Sequence, residues 1–244
     1  MVLFYYCAKG DFLKKIKLYT FLMSFMLLLW NTYIFKPIKV IAIFIHEVGH
    51  FLMTLLFNDK VAVFNITLNE VGHSSNITDS WFSSLLIANS GYIMSLVFAI
   101  FILRIKDSRI RKYVLGIISS VALISLLHAE KMSAAFLYII VFSVITILVY
   151  IIDNDKIFEY FIDIIGVASI TYCIYETLMK DILPGIVTNF GIFKNIAVYS
   201  KLATDSQVLY KVTGIPTIVW GSLWFFVSLI VLVFCMNVKK KRKY

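Results

Sequence analysis

Charge is what this chain has least of. Asp, Glu, Lys and Arg make up 15% of its 244 residues, against roughly 25% in a soluble domain. Hydrophobic residues make up 61%, where a soluble domain carries about 45–50%. That shortage excludes an ordinary water-covered globule and leaves a membrane protein. Cysteine is scarce as well. Cys7, Cys173 and Cys235 lie far apart and form no CxxC pair, which excludes both a disulfide framework and a cysteine zinc site. No G-x-S-x-G stretch is present, which counts against serine-type hydrolysis and leaves metal-assisted hydrolysis open. The basic start and apolar run of "KKIKLYTFLMSFMLLLW" lead to no small-x-small cleavage site, so this segment is expected to remain as a first span. There is no internal repeat, and the only biased tract is the basic tail at 239–243.

The positive charge is placed, not spread. Of the net +9, the clusters are Lys14, Lys15 and Lys17, the stretch from Arg104 to Lys112, and the tail. Each flanks an apolar run, where Lys and Arg set topology and meet anionic headgroups. No aromatic residues interleave with them on a polar surface, so no nucleic-acid partner is expected.

Apolar spans of about 20 residues fall near 17–35, 37–57, 81–104, 113–128, 132–152, 157–180 and 215–238. The chain is therefore expected to be one all-α polytopic membrane domain, residues 1–244, with six to seven transmembrane helices. Residues 61–68 alternate at period two and meet a turn at "NEVG", which predicts a short β-hairpin after the second span. Its edge is a candidate for pairing with an extended substrate. Residues 181–214 are expected to be a long non-spanning stretch, because Pro184, Gly185 and Gly191 argue against one continuous helix.

The second span holds the chemistry. In "IAIFIHEVGHFLMTL", His46, Glu47 and His50 interrupt an apolar run. His46 and His50 are four apart and share one helix face, so both imidazoles can reach one metal ion. Glu47 stands where a carboxylate can take a proton from a water on that metal. This is the H-E-x-x-H arrangement of zinc metalloproteases. The chain has only four His and five Glu, so chance is a poor explanation. Ionisable groups at mid-membrane are costly and mark functional sites by default. A structural His–Glu cluster and a proton-relay or transport site are the competing readings.

A catalytic zinc takes three protein ligands and keeps one open position. The candidates for the third are His128, His73, Glu176, Asp181 and Asp205. His128 ends a span, His73 lies in the predicted hairpin, and Glu176 and Asp181 sit near one membrane edge. Asp205 opens a short amphipathic helix carrying Val208, Leu209 and Val212, where an aspartate is first of all an N-cap. Composition leaves these alternatives open.

Three stretches resemble the site-2 protease family of intramembrane zinc metalloproteases, in its compact bacterial metalloprotease-like branch. They are "FIHEVGHFLMTLLF", "NEVGHSS" with the following "LLIANSGYIMSLVFA", and "ATDSQVLYKVTGIPTIVWGSLW". The resemblance covers about 37–103 and 200–230; the spans between are alike only in hydropathy. It implies a multi-pass cell-membrane protease with Zn2+ as cofactor, and a membrane protein or peptide in the lipid bilayer as substrate. It further implies His46, His50 and Asp205 as zinc ligands, Glu47 as general acid/base, and Gly91 as a point of close approach beside the site. Two features depart from the family pattern. The hairpin has a single glycine, Gly72, followed by His73. Asp205 also lacks the larger family's usual Asp-Gly context. No PDZ-like or CBS-like module is expected.

Overall fold

A computed structural model describes residues 2–57, 80–106, 108, 110–125, 134–190 and 204–237. Within these residues every regular element is a helix. In chain order they are α1 (Val2–Leu29), α2 (Lys36–Leu56), α3 (Trp81–Ile105), α4 (Arg111–Ser125), α5 (Ala134–Ile152), α6 (Asp155–Glu176), α7 (Leu183–Phe190), α8 (Asp205–Thr213) and α9 (Thr217–Met236). The hairpin expected at 61–78 lies outside the described residues.

Four helices are long and apolar enough to cross a membrane: α2, α3, the continuous rod from Asp155 to Val187, and α9. The described apolar part of α5, Phe136–Ile152, is shorter. An all-α membrane protein is thus what the chain builds, with four such spans among the described residues where six to seven were expected.

The helix that carries the H-E-x-x-H motif is enclosed. Pro37 sits in its first turn, where a missing N–H costs nothing. Every residue from 41 to 47 is buried, so no side of α2 at that level faces lipid. It packs against α3, α5 and α6. By contrast α9 has two faces. Val219, Leu223, Phe226, Ile230 and Val233 recur at helical spacing and are exposed, while Gly221, Trp224, Ser228, Leu232 and Cys235 are buried on the other side. An apolar stripe facing outward would be a liability in water and is the expected surface toward acyl chains.

Between lipid-covered helices the hydrophobic effect gives little drive, so close packing at small residues matters more. Gly49 on α2 lies against the Ser90 carbonyl of α3, and Gly91 on α3 lies against the motif imidazoles. A methyl group at either would collide, so these two glycines fix how closely α2 and α3 cross.

The sixth span corrects the expectation for residues 181–190. The chain does not leave the helix at Pro184. It passes from α6 through a π-helical turn, Thr177–Ile182, directly into α7. The Leu183 N–H bonds the Leu178 carbonyl, five residues back. A proline in an α-helix clashes with the carbonyl four residues before it. The wider π turn just upstream relieves that clash, and such turns recur at functional sites.

Candidate metal centre

His46 and His50 stand at the middle of α2, and both side chains are nearly sealed from solvent. Their Nε2 atoms lie 3.1 Å apart. Asp205, first residue of α8, brings Oδ2 to 2.8 Å from Nε2 of His46 and 3.2 Å from Nε2 of His50. Three ligand atoms from positions far apart in the chain therefore form a nearly equilateral triangle. Among the described residues this is the one group of three or more His, Cys, Asp or Glu placed to hold a metal ion.

Different forces aim the two imidazoles. His50 Nδ1 lies 2.7 Å from the Ile87 carbonyl oxygen. A carbonyl only accepts, so Nδ1 carries a proton, and the neutral, metal-binding form of the ring turns its Nε2 lone pair into the triangle. His46 Nδ1 is buried and has no hydrogen-bond partner among the described residues. Its ring is held by packing instead. The rings of Tyr92 and Tyr172 meet it edge-on, each 5.1 Å away between centroids. Tyr92 is backed in turn by Trp224, stacked at 5.2 Å, whose Nε1 donates to Asn89 Oδ1.

With both rings neutral and protonated at Nδ1, the triangle presents three lone-pair atoms within 3.2 Å of one another. A tetrahedral zinc with bonds of about 2.0–2.1 Å spaces its ligand atoms by about 3.3 Å, close to the observed 2.8, 3.1 and 3.2 Å. The donor set fits a divalent metal. Gly91 completes the fit: a Cβ there would press on both Nε2 atoms, so only glycine leaves the lone pairs uncovered. The close approach expected of Gly91 is present.

Asp205 is not the helix cap that composition suggested. Thr204 takes that role, with extended backbone and its hydroxyl accepting from the Gln207 N–H. This leaves the Asp205 carboxylate free to turn toward α2. The amphipathic reading of α8 fits, since Leu209 is fully buried. Trp81 Nε1 donates to the Val212 carbonyl, and Trp220 Nε1 donates to the Thr213 hydroxyl. A left-handed Gly214 then ends the helix.

Glu47 is buried beside His46, with 6% of its surface exposed. The other candidates are not brought into the triangle. Glu176 pairs with Lys180 at 2.5 Å. Asp181 accepts from Thr204 and Ser206. His73 and His128 lie outside the described residues.

Two buried histidines of a membrane-spanning helix, an aspartate brought against them and a glutamate next to the first histidine make a candidate metal centre in a membrane protein. The chain belongs to the Peptidase M50B-like family, whose model matches residues 19–235; this is the site-2 protease family. The match includes the middle spans, where sequence resemblance rested on hydropathy alone. No curated protein and no solved structure matches the chain.

Proposed function

We propose that the protein is an intramembrane zinc metalloprotease that hydrolyses peptide bonds of membrane-associated substrates. His46, His50 and Asp205 would hold the Zn2+. The observation that carries the reading is the triangle of two imidazole nitrogens and one carboxylate oxygen, 2.8–3.2 Å on its edges, with both imidazoles buried in the span of α2. A bound zinc supplies Lewis-acid polarisation of a carbonyl and brings the pKa of water down to about 7.

Glu47 is assigned the proton transfers. Its carboxylate accepts a proton from the attacking water as the C–O bond forms. It returns that proton to the amine nitrogen as the C–N bond breaks. His50, anchored through Nδ1–H to Ile87, keeps its lone pair aimed throughout. A helical substrate must unwind first, because its carbonyls are otherwise engaged by its own N–H groups. The substrate is therefore expected to be a membrane protein or peptide with a segment that loses helix readily within the lipid bilayer.

Glu47→Gln in the purified, zinc-loaded protein tests this. Cleavage of a model membrane substrate should fall by about 10²–10⁴-fold with zinc content unchanged. A scaffold or transporter that merely keeps the metal would lose nothing attributable to this carboxylate, and unchanged cleavage would sink the assignment.

A further inference from the structure

Asp205 lies on a nine-residue helix, far in sequence from the helix whose histidines it meets. Something must hold that helix end at the right height. Both neighbours of Asp205 carry hydroxyls, and both hydroxyls go to one acceptor. Thr204 Oγ1 donates to Asp181 Oδ1 at 2.8 Å, and Ser206 Oγ donates to Asp181 Oδ2 at 2.7 Å. Asp181 is 1% exposed and Ser206 is fully buried. The Thr204 hydroxyl spends its proton on Asp181 and a lone pair on the Gln207 N–H.

We infer that Asp181 is a positioning residue for the metal centre: its carboxylate clamps Thr204 and Ser206 and so sets where Asp205 presents its oxygen. The inference rests on the reading of His46, His50 and Asp205 as metal ligands.

Two further features belong to the clamp. Asp181 stands in the π-helical turn between α6 and α7. Each residue turns an α-helix by about 100°, so the additional residue of a π turn re-aims everything after it, and here it brings Asp181 to α8 and α9. Behind Asp181 sits Gly221 of α9, where a Cβ would come within 2.5 Å of the Asp181 Cβ. The glycine of "WGSLW" thus seats the clamp, as the tryptophan before it braces the other end of α8.

Groups that orient metal ligands cost about 10–100-fold in metal affinity when removed. The test is zinc affinity of the full-length protein in detergent, by competition with a chromogenic chelator, together with the visible absorption of its Co2+ form. Asp181→Ala should weaken zinc binding at least about tenfold and alter the Co2+ spectrum. Ser206→Ala, which leaves the Thr204 cap intact, should weaken it about threefold, and should add nothing once Asp181 is alanine. Wild-type affinity and spectrum in Asp181→Ala, alongside loss of zinc in Asp205→Ala, would overturn the clamp and leave the metal centre standing. Wild-type zinc affinity in Asp205→Ala would overturn the metal centre itself. If Asp181→Ala does not fold, Ser206→Ala decides: an unchanged affinity and Co2+ spectrum refute the clamp.

Discussion

Two polar clusters are buried between the helices of this protein, and they are built on opposite principles. At one, Lys106 at the end of α3 donates to both oxygens of Asp163 on α6, at 2.7 and 2.9 Å, and reaches the Tyr19 hydroxyl of α1 at 3.3 Å. Tyr19 itself donates to Asp163, and Arg111 donates to the Lys106 carbonyl. At its centre the Lys106 ammonium meets the Asp163 carboxylate, and opposite charges are paired. At the other, two imidazole nitrogens and a carboxylate oxygen converge on one point at 2.8–3.2 Å from one another. The first cluster pairs charge with opposite charge and ties four helices, α1, α3, α4 and α6. The second gathers three atoms that could all bind one cation. Burial alone does not mark a functional site; the convergence of metal-ligating atoms from distant parts of the chain does.

The comparison can be broken at several points. The largest effect should come from His46→Ala or Asp205→Ala, each of which should abolish stoichiometric zinc in the purified protein. Full zinc retention in either would remove that residue from the ligand set. Next, Asp163→Leu should destabilise the fold by about 3–5 kcal/mol, because it strands a buried lysine, while zinc stoichiometry in the folded fraction stays at wild type. Pairing it with Lys106→Met should restore most of the loss in a thermal or denaturant unfolding curve. If the single variant lost zinc in the folded fraction, the two clusters would not be separable.

Gly91→Ala should then lower zinc affinity about 100-fold without touching a ligand, at the upper end for groups that shape a metal site, because its methyl would press on both imidazole nitrogens. Wild-type affinity there would mean that α3 moves aside freely. The smallest effect is expected from Trp224→Phe. It keeps a ring against Tyr92 and removes the bond to Asn89, a change of about 1 kcal/mol in stability with little change in zinc binding.

Much of the motif helix was legible because its information is local. Four-residue spacing puts two histidines on one face in any helix, and residues 37–57 contain nothing to break one. The span boundaries of α2 and α3 follow from hydropathy to within a residue or so. What could not be read depends on distant partners or on competition between neighbours. Asp205 looked like an N-cap because aspartate commonly is one; Thr204 wins the cap, and nothing in "ATDSQ" ranks the two without knowing that imidazoles wait on α2. Pro184 looked like a helix end because a proline clashes with the preceding α-turn, and the π turn that removes the clash has no sequence signature. Asp181 reads in the sequence as a candidate metal ligand, and its pairing with Thr204 and Ser206 emerges only once α8 folds back onto the end of α6. Tyr172 carried no signal at all, since an aromatic residue in an apolar span is unremarkable until it is seen against His46.

The central claim is that this His-His-Asp cluster cuts peptide bonds through Glu47. Its most direct test is cleavage of a membrane-embedded model substrate by zinc-loaded wild type and Glu47→Gln, with zinc measured in the same samples. The account predicts equal zinc in both and cleavage only in wild type. Equal zinc with equal cleavage, or no cleavage by zinc-loaded wild type on any unwinding-prone membrane segment, would contradict it.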